Sequence, residues 1–132
     1  MLFRSRDPAH RVLILRGEGK AFCAGLDLAE GARGDQSHRS AELVARMLQA
    51  ISRSPLATIA AVHGAAVAGG AGIMSACDLV VAEEKTQIGY PEVRRGLVAG
   101  MVMIFLRRQV RQRDAQRLLL LGELIEIGRA HV

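Results

Sequence analysis

The sequence predicts one mixed α/β domain with mostly parallel strands. Three observations support this expectation: short apolar runs of strand length, longer segments with apolar residues at helical spacing, and small-residue stretches where the two meet. A chain of 132 residues is enough for one domain with a modest core. Because only 3% of the residues are aromatic, that core has to be built from Leu, Val, Ile, Ala and Met.

Four short apolar runs predict strands. They lie at 12–16, 58–62, 79–82 and 86–89. The first three read as buried strands, because they are continuous apolar runs with β-branched residues. The connection between the third and the fourth is too short for a helix, so the sheet is not expected to be a plain doubly wound one.

Four segments predict helices. They lie at 41–53, 69–77, 100–110 and 113–121. The first has apolar residues at helical spacing and ends before Pro55. Residues 31–40, rich in Gly, Arg, Asp and Ser, predict a polar loop ahead of it. The second helix consists of small residues.

Composition argues against several functional classes. The net charge of +5 depends on an arginine cluster at Arg107, Arg108, Arg111, Arg113 and Arg117. A solvated helix face is the favoured interpretation, with contacts to an anionic cofactor tail as the alternative. No aromatic residues are interleaved, so no nucleic-acid partner is expected. No apolar run approaches the ~18 residues of a membrane span and no signal peptide is visible, so we expect a cytoplasmic protein without a membrane partner.

Both ends of the chain resemble translated sequencing-adapter sequence. These ends are residues 1–5 and 127–132. We therefore expect the native segment to be a partial core that spans 6–126. Without Arg4 and Arg129 the net charge falls from +5 to +3, because the end segments carry no acids.

Two glycine-bearing segments carry most of the functional information. Residues 19–28 read GKAFCAGLDL, and residues 63–72 read HGAAVAGGAG. Each places small residues where an apolar strand gives way to a loop or helix, so backbone N–H groups can point at a ligand. Two such donors aimed at one point would bind the oxygen of a polarised carbonyl, which is the chemistry of acyl groups.

Through these segments the chain resembles the enoyl-CoA hydratase/isomerase, or crotonase, family. The block 61–78, the run 88–92 and the run 96–100 extend the match, which covers nearly all of 11–121. The resemblance implies stacked ββα units in a spiral core, here incomplete at both ends. It also implies an acyl-CoA thioester substrate and assembly into homotrimers or hexamers. Coenzyme A is part of that substrate, so no separate cofactor is expected.

The resemblance also implies which residues meet the thioester. The N–H groups of Ala24 and Gly69 would form an oxyanion hole, with Gly69 at the positive end of a helix. The expected substrate contacts are Ala21, Phe22, Gly25, Leu26, Asp27, Leu28, Gly70, Gly72 and Tyr90. Alternatives are a tight packing turn for Gly69-Gly70, a helix cap for Asp27 and simple packing for Tyr90.

Acid–base chemistry is expected at Glu92. The family's hydratases place two glutamates at positions that correspond here to Gly72 and Glu92, 20 residues apart. Glycine cannot transfer a proton, and one base suffices to move a proton between the α and γ carbons, which is isomerisation.

The predicted function is therefore an enoyl-CoA hydratase/isomerase-type enzyme, a lyase or isomerase of fatty acid metabolism. It would stabilise a thioester enolate and use Glu92 for proton transfer. Thioester hydrolysis and a non-catalytic acyl-CoA-binding relative are the alternatives. For Glu92 itself, the alternative is an exposed loop carboxylate.

Other polar residues are expected to be structural. Asp78 reads as a hydrogen-bonded residue at a helix end, and His63 as a satisfied histidine at a strand end. Ser54 and Ser75 lack a recognisable His–Asp arrangement. No metal-ligand spacing occurs, so no metal is expected. Both cysteines, Cys23 and Cys77, are expected to be buried free thiols.

Overall fold

The computed structural model of the chain describes residues 9–25 and 34–127, with the backbone alone over 34–38. It is a mixed α/β structure, as predicted. In chain order its elements are β1 (Val12–Arg16), α1 (Gly34–Ser52), β2 (Ala57–Val62), β3 (Ala65–Val67), α2 (Gly69–Ala76), β4 (Leu79–Ala82), β5 (Gln87–Gly89), a 3₁₀ helix (Pro91–Arg95), α3 (Met103–Gln109), α4 (Gln112–Leu121) and β6 (Leu124–Glu126).

The strands form two three-stranded sheets. The first has the order β1-β2-β4 and is entirely parallel. The second has the order β3-β5-β6, in which β3 and β5 are parallel and β6 is antiparallel to β5. Because β4 and β5 belong to different sheets, the short connection between them needs no helix. This agrees with the expectation that the sheet is not plainly doubly wound.

The first sheet is less buried than the sequence predicts. Strand β2 alternates inward and outward, and Ala60 is fully buried. In contrast, Ile14 of β1 is 61% exposed and Val81 of β4 is 66% exposed. Both strands lie at edges of this sheet within the described residues. Strand β1 is exposed on one face, whereas the exposed residues of β4 are consecutive and therefore lie on both faces. The prediction of a buried strand is right for β2 and wrong for β1 and β4.

The hydrophobic core surrounds α2, which is itself largely buried. Helices α1 and α3 and strands β2 and β3 pack against it. The aliphatic side chains of the core include Leu48, Ile51, Val62, Val102, Leu106 and Leu118. Phe22 and Tyr90 are buried in the same cluster. None of the helices in the described ranges is long and apolar enough to cross a membrane.

Several boundaries differ from the sequence-based expectation. Helix α1 begins at Gly34, so most of the loop predicted over 31–40 is helical. No proline occurs between residues 34 and 40 to break a helix, and polar composition alone marked the wrong boundary. Helix α3 begins at Met103 instead of residue 100, after a turn.

Two short strands and the 3₁₀ helix were not predicted. Strands β3 and β6 have three residues each, too few to show a hydrophobic period. Both exist through pairing with β5, which is a tertiary interaction. The ends at 1–5 and 128–132 lie outside the described residues, so the adapter interpretation stays a prediction.

Candidate active site

Three chain segments end side by side at one edge of the second sheet. Strands β3 and β5 are parallel, and an isolated parallel bridge joins Cys23 to Ala66 of β3. Carboxyl ends of parallel strands meet at one edge, which is where α/β proteins commonly place ligands. The residues that follow these ends are Ala24, Gly69 and Glu92. Ala24 and Gly69, expected to form the oxyanion hole, and Glu92, expected to transfer the proton, thus each follow a segment that ends at this edge.

Backbone hydrogen bonds hold the three segments in this register. The Cys23 carbonyl accepts from Val67 N–H at 3.0 Å, and Cys23 N–H donates to the Ala65 carbonyl at 3.1 Å. The N–H of Ala68 donates to the Gly89 carbonyl at 2.9 Å. The last residues of the segments are therefore fixed relative to one another by the main chain.

The two amides proposed for the oxyanion hole have no backbone acceptor in the described part of the chain. Ala24 is an exposed residue and Gly69 is a partly exposed one. Their turns are in contact, because a Cβ atom built on Gly25 would lie 3.4 Å from the Gly69 nitrogen. The Gly69 N–H, at a helix start, and the Ala24 N–H are therefore candidate donors to an external acceptor.

The turn from β3 into α2 is strained. Ala68 has φ 52°, and it is the only non-glycine residue of the described ranges with a positive φ. This conformation is unfavourable for an L residue and occurs where surrounding structure enforces it, often at functional sites. It lets the helix start directly after the strand, with Gly69 as its first residue.

Gly70 and Gly72 pack tightly against backbone and side chain. A Cβ on Gly70 would overlap the Cys23 carbonyl oxygen and lie 2.7 Å from its carbon. Gly70 therefore has the packing role that was the alternative interpretation for Gly69-Gly70. The close approach of a thioester to Gly70 stays a prediction. A side chain at Gly72 would meet Val102.

Glu92 lies in the first turn of the 3₁₀ helix and is partly buried. Its Oε2 is the one buried side-chain N or O atom among the described residues that has no hydrogen-bond partner. Burial raises the pKa of this carboxyl above its ordinary value. The alternative reading of an exposed loop carboxylate is therefore wrong. A buried, unpartnered oxygen is costly to keep, and such atoms are found where a ligand or a reaction uses them.

Tyr90 packs behind the site and does not face outward. It is fully buried, its hydroxyl donates to the Ala71 carbonyl at 3.2 Å, and it shares a 2.8 Å hydrogen bond with Ser75 Oγ. Burial raises the pKa of Tyr90 to about 12. The structure therefore agrees with the alternative that Tyr90 packs in the core, as opposed to contacting substrate.

The remaining substrate-contact predictions fall into two groups. Ala21 is partly buried, and Phe22 lies in the core with its N–H bonded to the His63 carbonyl at 2.9 Å. The other three, Leu26, Asp27 and Leu28, lie outside the described residues, as does the capping alternative for Asp27.

The structural roles expected for other polar residues are confirmed. Asp78 Oδ2 accepts from the N–H and the hydroxyl of Thr58, which lowers the pKa of Asp78. His63 Nε2 lies 3.1 Å from the Gly19 carbonyl.

Both cysteines are free thiols. Cys77 is buried, and this raises its pKa to about 11, whereas Cys23 is only partly buried. All five clustered arginines are exposed, in agreement with a solvated helix face. In the described ranges no group of three or more His, Cys, Asp or Glu is arranged to hold a metal ion.

A cavity of about 420 Å³ lies between the 3₁₀ helix, α3 and α4. Its lining is mainly apolar and includes Val93, Leu97, Met103, Leu119 and Leu120, with Arg107 at one side. Ala24, Gly69 and Glu92 do not line it. Val93, the residue after Glu92, lines the cavity, but none of the three residues expected at the active site does.

The protein has a mixed α/β fold. At one sheet edge, strand ends are followed by two amides without a backbone acceptor in the described ranges and by a partly buried carboxylate. The family model for Enoyl-CoA hydratase/isomerase matches residues 3–131. This chain belongs to that family. The chain is 43% identical over 129 residues to the Thermus thermophilus protein named "Putative enoyl-CoA hydratase", covering 94% of this chain and 51% of that protein.

Other relatives and solved structures agree with this assignment. The enoyl-CoA isomerase/hydratase fer4 of Mycosarcoma maydis is 41% identical over 71% of this chain and 35% of its own length. The structure of human enoyl Coenzyme A hydratase domain-containing protein 3 superposes with a TM-score of 0.89 at 29% identity, over 96% of this chain and 51% of that one. The chain spans about half the length of these relatives or less, and it has the corresponding part of the crotonase fold.

Proposed function

We propose that this protein is an acyl-CoA enzyme that stabilises a thioester enolate and shifts a double bond by proton transfer at Glu92. The carbonyl oxygen of the thioester would accept hydrogen bonds from the N–H groups of Ala24 and Gly69. As in the sequence-based expectation, the full-length protein would form homotrimers or hexamers and would need no cofactor beyond the coenzyme A of its substrate.

One observation supports the proposal: two amides without backbone acceptors in the described residues follow strand ends at the sheet edge from which the chain continues to Glu92, whose Oε2 is buried without a partner. Enolate chemistry needs both features at once. The negative charge that develops on the carbonyl oxygen needs fixed donors, and the α-carbon needs a base. The names of the relatives, which include both hydratases and an isomerase/hydratase, support an acyl-CoA substrate.

The proposed reaction uses one carboxylate twice. Ionised Glu92 removes a proton from the α-carbon of a 3-enoyl thioester, and the electron pair moves onto the carbonyl oxygen as an enolate. The same carboxyl then returns the proton to the γ-carbon, which leaves the double bond between the α and β carbons. The raised pKa of Glu92 suits a group that must both take and return a proton.

The test is Glu92→Gln in the full-length protein, with 3-enoyl-CoA isomerisation and 2-enoyl-CoA hydration measured side by side. Loss of proton transfer should lower isomerisation by about 10²–10⁴-fold, because this is the typical contribution of a positioned acid or base. Glu84→Gln is the matched control, since Glu84 is exposed and removed from the site. Both activities near wild type in Glu92→Gln would mean that Glu92 is structural.

The same assay distinguishes the alternatives. If wild-type protein binds acyl-CoA but turns over neither substrate, it is a binding relative. Release of free coenzyme A would identify thioester hydrolysis. Hydration much faster than isomerisation would mean that a second acid, from outside the described residues, replaces the one absent at Gly72.

A further inference from the structure

Gly72, the residue at which the family resemblance places a second acid, packs against Val102 at the start of α3. Gly72 is buried in α2. A Cβ atom built on it would overlap Val102 Cγ1 and would lie 2.8 Å from Val102 Cβ and 3.6 Å from its Cα. Val102, at the N-terminal cap of α3, is only 5% exposed. Glycine and valine therefore pack together without space for another group.

Rotation of the valine side chain cannot make room. A change of χ1 moves the two γ-carbons of Val102, but its Cβ stays fixed to the backbone. That Cβ would already be 2.8 Å from the added atom, and real Cβ contacts are essentially never shorter than 3.0 Å. A side chain at residue 72 therefore requires either a smaller residue at 102 or a shift of α3 against α2.

We infer that Val102 is a specificity-determining residue that restricts this site to chemistry with one carboxylate. The inference rests on the proposed function, in which Glu92 alone moves the proton. Val102 occupies the place that the Cβ of any side chain at residue 72 would need, so a carboxylate cannot be attached there without displacing Val102.

The two reactions differ in what they need from this volume. Hydration adds the hydrogen and the hydroxyl of one water across a carbon–carbon double bond, so that water has to be positioned. Isomerisation only moves a proton within the substrate and needs no water. Because Val102 excludes the second acid, the packing of Gly72 against Val102 favours isomerisation.

This predicts a dependence between the two positions. Glutamate at residue 72 should be tolerated only when residue 102 has no side chain, because removing the γ-carbons alone leaves the 2.8 Å contact. Gly72→Glu, Val102→Gly and the double variant would be made in the full-length protein. Gly72→Glu/Val98→Gly is the matched control, since Val98 precedes the same helix but is 82% exposed.

Two measurements test the inference: the melting temperature, and the ratio of 2-enoyl-CoA hydration to 3-enoyl-CoA isomerisation. Gly72→Glu should melt below wild type or fail to fold. Rescue means that Gly72→Glu lowers the melting temperature less in the Val102→Gly background than in wild type, although Val102→Gly itself costs stability, and that no such reduction occurs in the Val98→Gly background. In the rescued double variant the hydration-to-isomerisation ratio should rise about tenfold or more above that of Val102→Gly, because a second acid has been supplied.

Three results would count against these ideas in distinguishable ways. If Gly72→Glu melts like wild type, or if Val102→Gly fails to rescue it, the steric argument is wrong. If rescue occurs but the activity ratio does not change, Val102 does not determine specificity. If rescue occurs and the wild type itself does not isomerise 3-enoyl-CoA, the proposed function fails while the packing relation stands on the melting temperatures.

Discussion

Replacing Asp78 by alanine should destabilise the protein, because one carboxylate oxygen joins the beginning of β2 to the end of α2. Asp78 Oδ2 accepts from Thr58 N–H at 2.8 Å and from the Thr58 hydroxyl at 2.7 Å. The Thr58 hydroxyl in turn accepts from Asp78 N–H at 2.8 Å. Thr58 is fully buried, so its donors depend on this partner.

The expected loss is about 2–4 kcal/mol. A hydrogen bond to a charged group contributes about 1.5–3 kcal/mol, and a buried donor left without an acceptor costs about 1–3 kcal/mol. Alanine removes both bonds to Oδ2. Because Asp78 itself is exposed, water can replace part of what is lost, so the expected loss is that of about one charged hydrogen bond together with one partly compensated donor.

Urea denaturation of the full-length protein measures this loss. Thr58→Val is the companion variant, since it removes the hydroxyl and keeps the volume. The two residues share hydrogen bonds, so the double variant should lose less than the sum of the single losses, by about 0.5–3 kcal/mol. A loss below about 0.5 kcal/mol in Asp78→Ala would refute the reasoning, because ordinary surface substitutions have effects of that size.

The pH dependence of this stabilisation has a definite sign. The hydrogen bonds from Thr58 hold the pKa of Asp78 below its ordinary value. The folded state therefore releases this proton more readily than the unfolded state does. The stabilisation is present above the ordinary pKa of about 3.9 and is lost as the pH falls through the lowered value. The difference between wild type and Asp78→Ala should shrink below about pH 4.

Two further predictions concern the site. Glu92→Gln should raise the melting temperature at neutral pH, because burial raises the pKa of Glu92 in the folded state and stability falls as the pH rises through that value; an equal gain below about pH 4, where the carboxyl is protonated in both states, would contradict this. Tyr90→Phe should lose about 1–3 kcal/mol in urea denaturation, because the Ala71 carbonyl and Ser75 lose a buried partner, and stability equal to wild type would contradict it.

Much of the site was predictable because its parts are local. The two glycine-bearing segments identify strand-to-turn junctions from composition alone, and the structure places both at one sheet edge. The expected role of Glu92 in proton transfer followed from the family resemblance. The structural role of Asp78 followed from its place between a helix and a strand. The inferences about the glycine-bearing segments and Asp78 depend on residues close together in the chain, whereas the one about Glu92 depends on the family resemblance.

Burial and short pairings could not be predicted in the same way. Strands β1 and β4 are as apolar in sequence as a central strand. Ile14 and Val81 are nevertheless exposed, because these strands lie at the edges of their sheet and little packs over these side chains in the described structure. Strands β3 and β6 exist because β5 lies between them. These features depend on which neighbour covers a segment.

By itself, the sequence determined the class of fold, the family and the presence of glycine, not a carboxylate, at residue 72. Only the tertiary structure decided that Glu92 Oε2 is buried without a partner and that Val102 fills the place beside Gly72. The physical reason is that residue type sets local conformation and charge through the chain's own neighbours. Desolvation and steric exclusion arise from residues distant in sequence, and their packing is settled only when the elements come together.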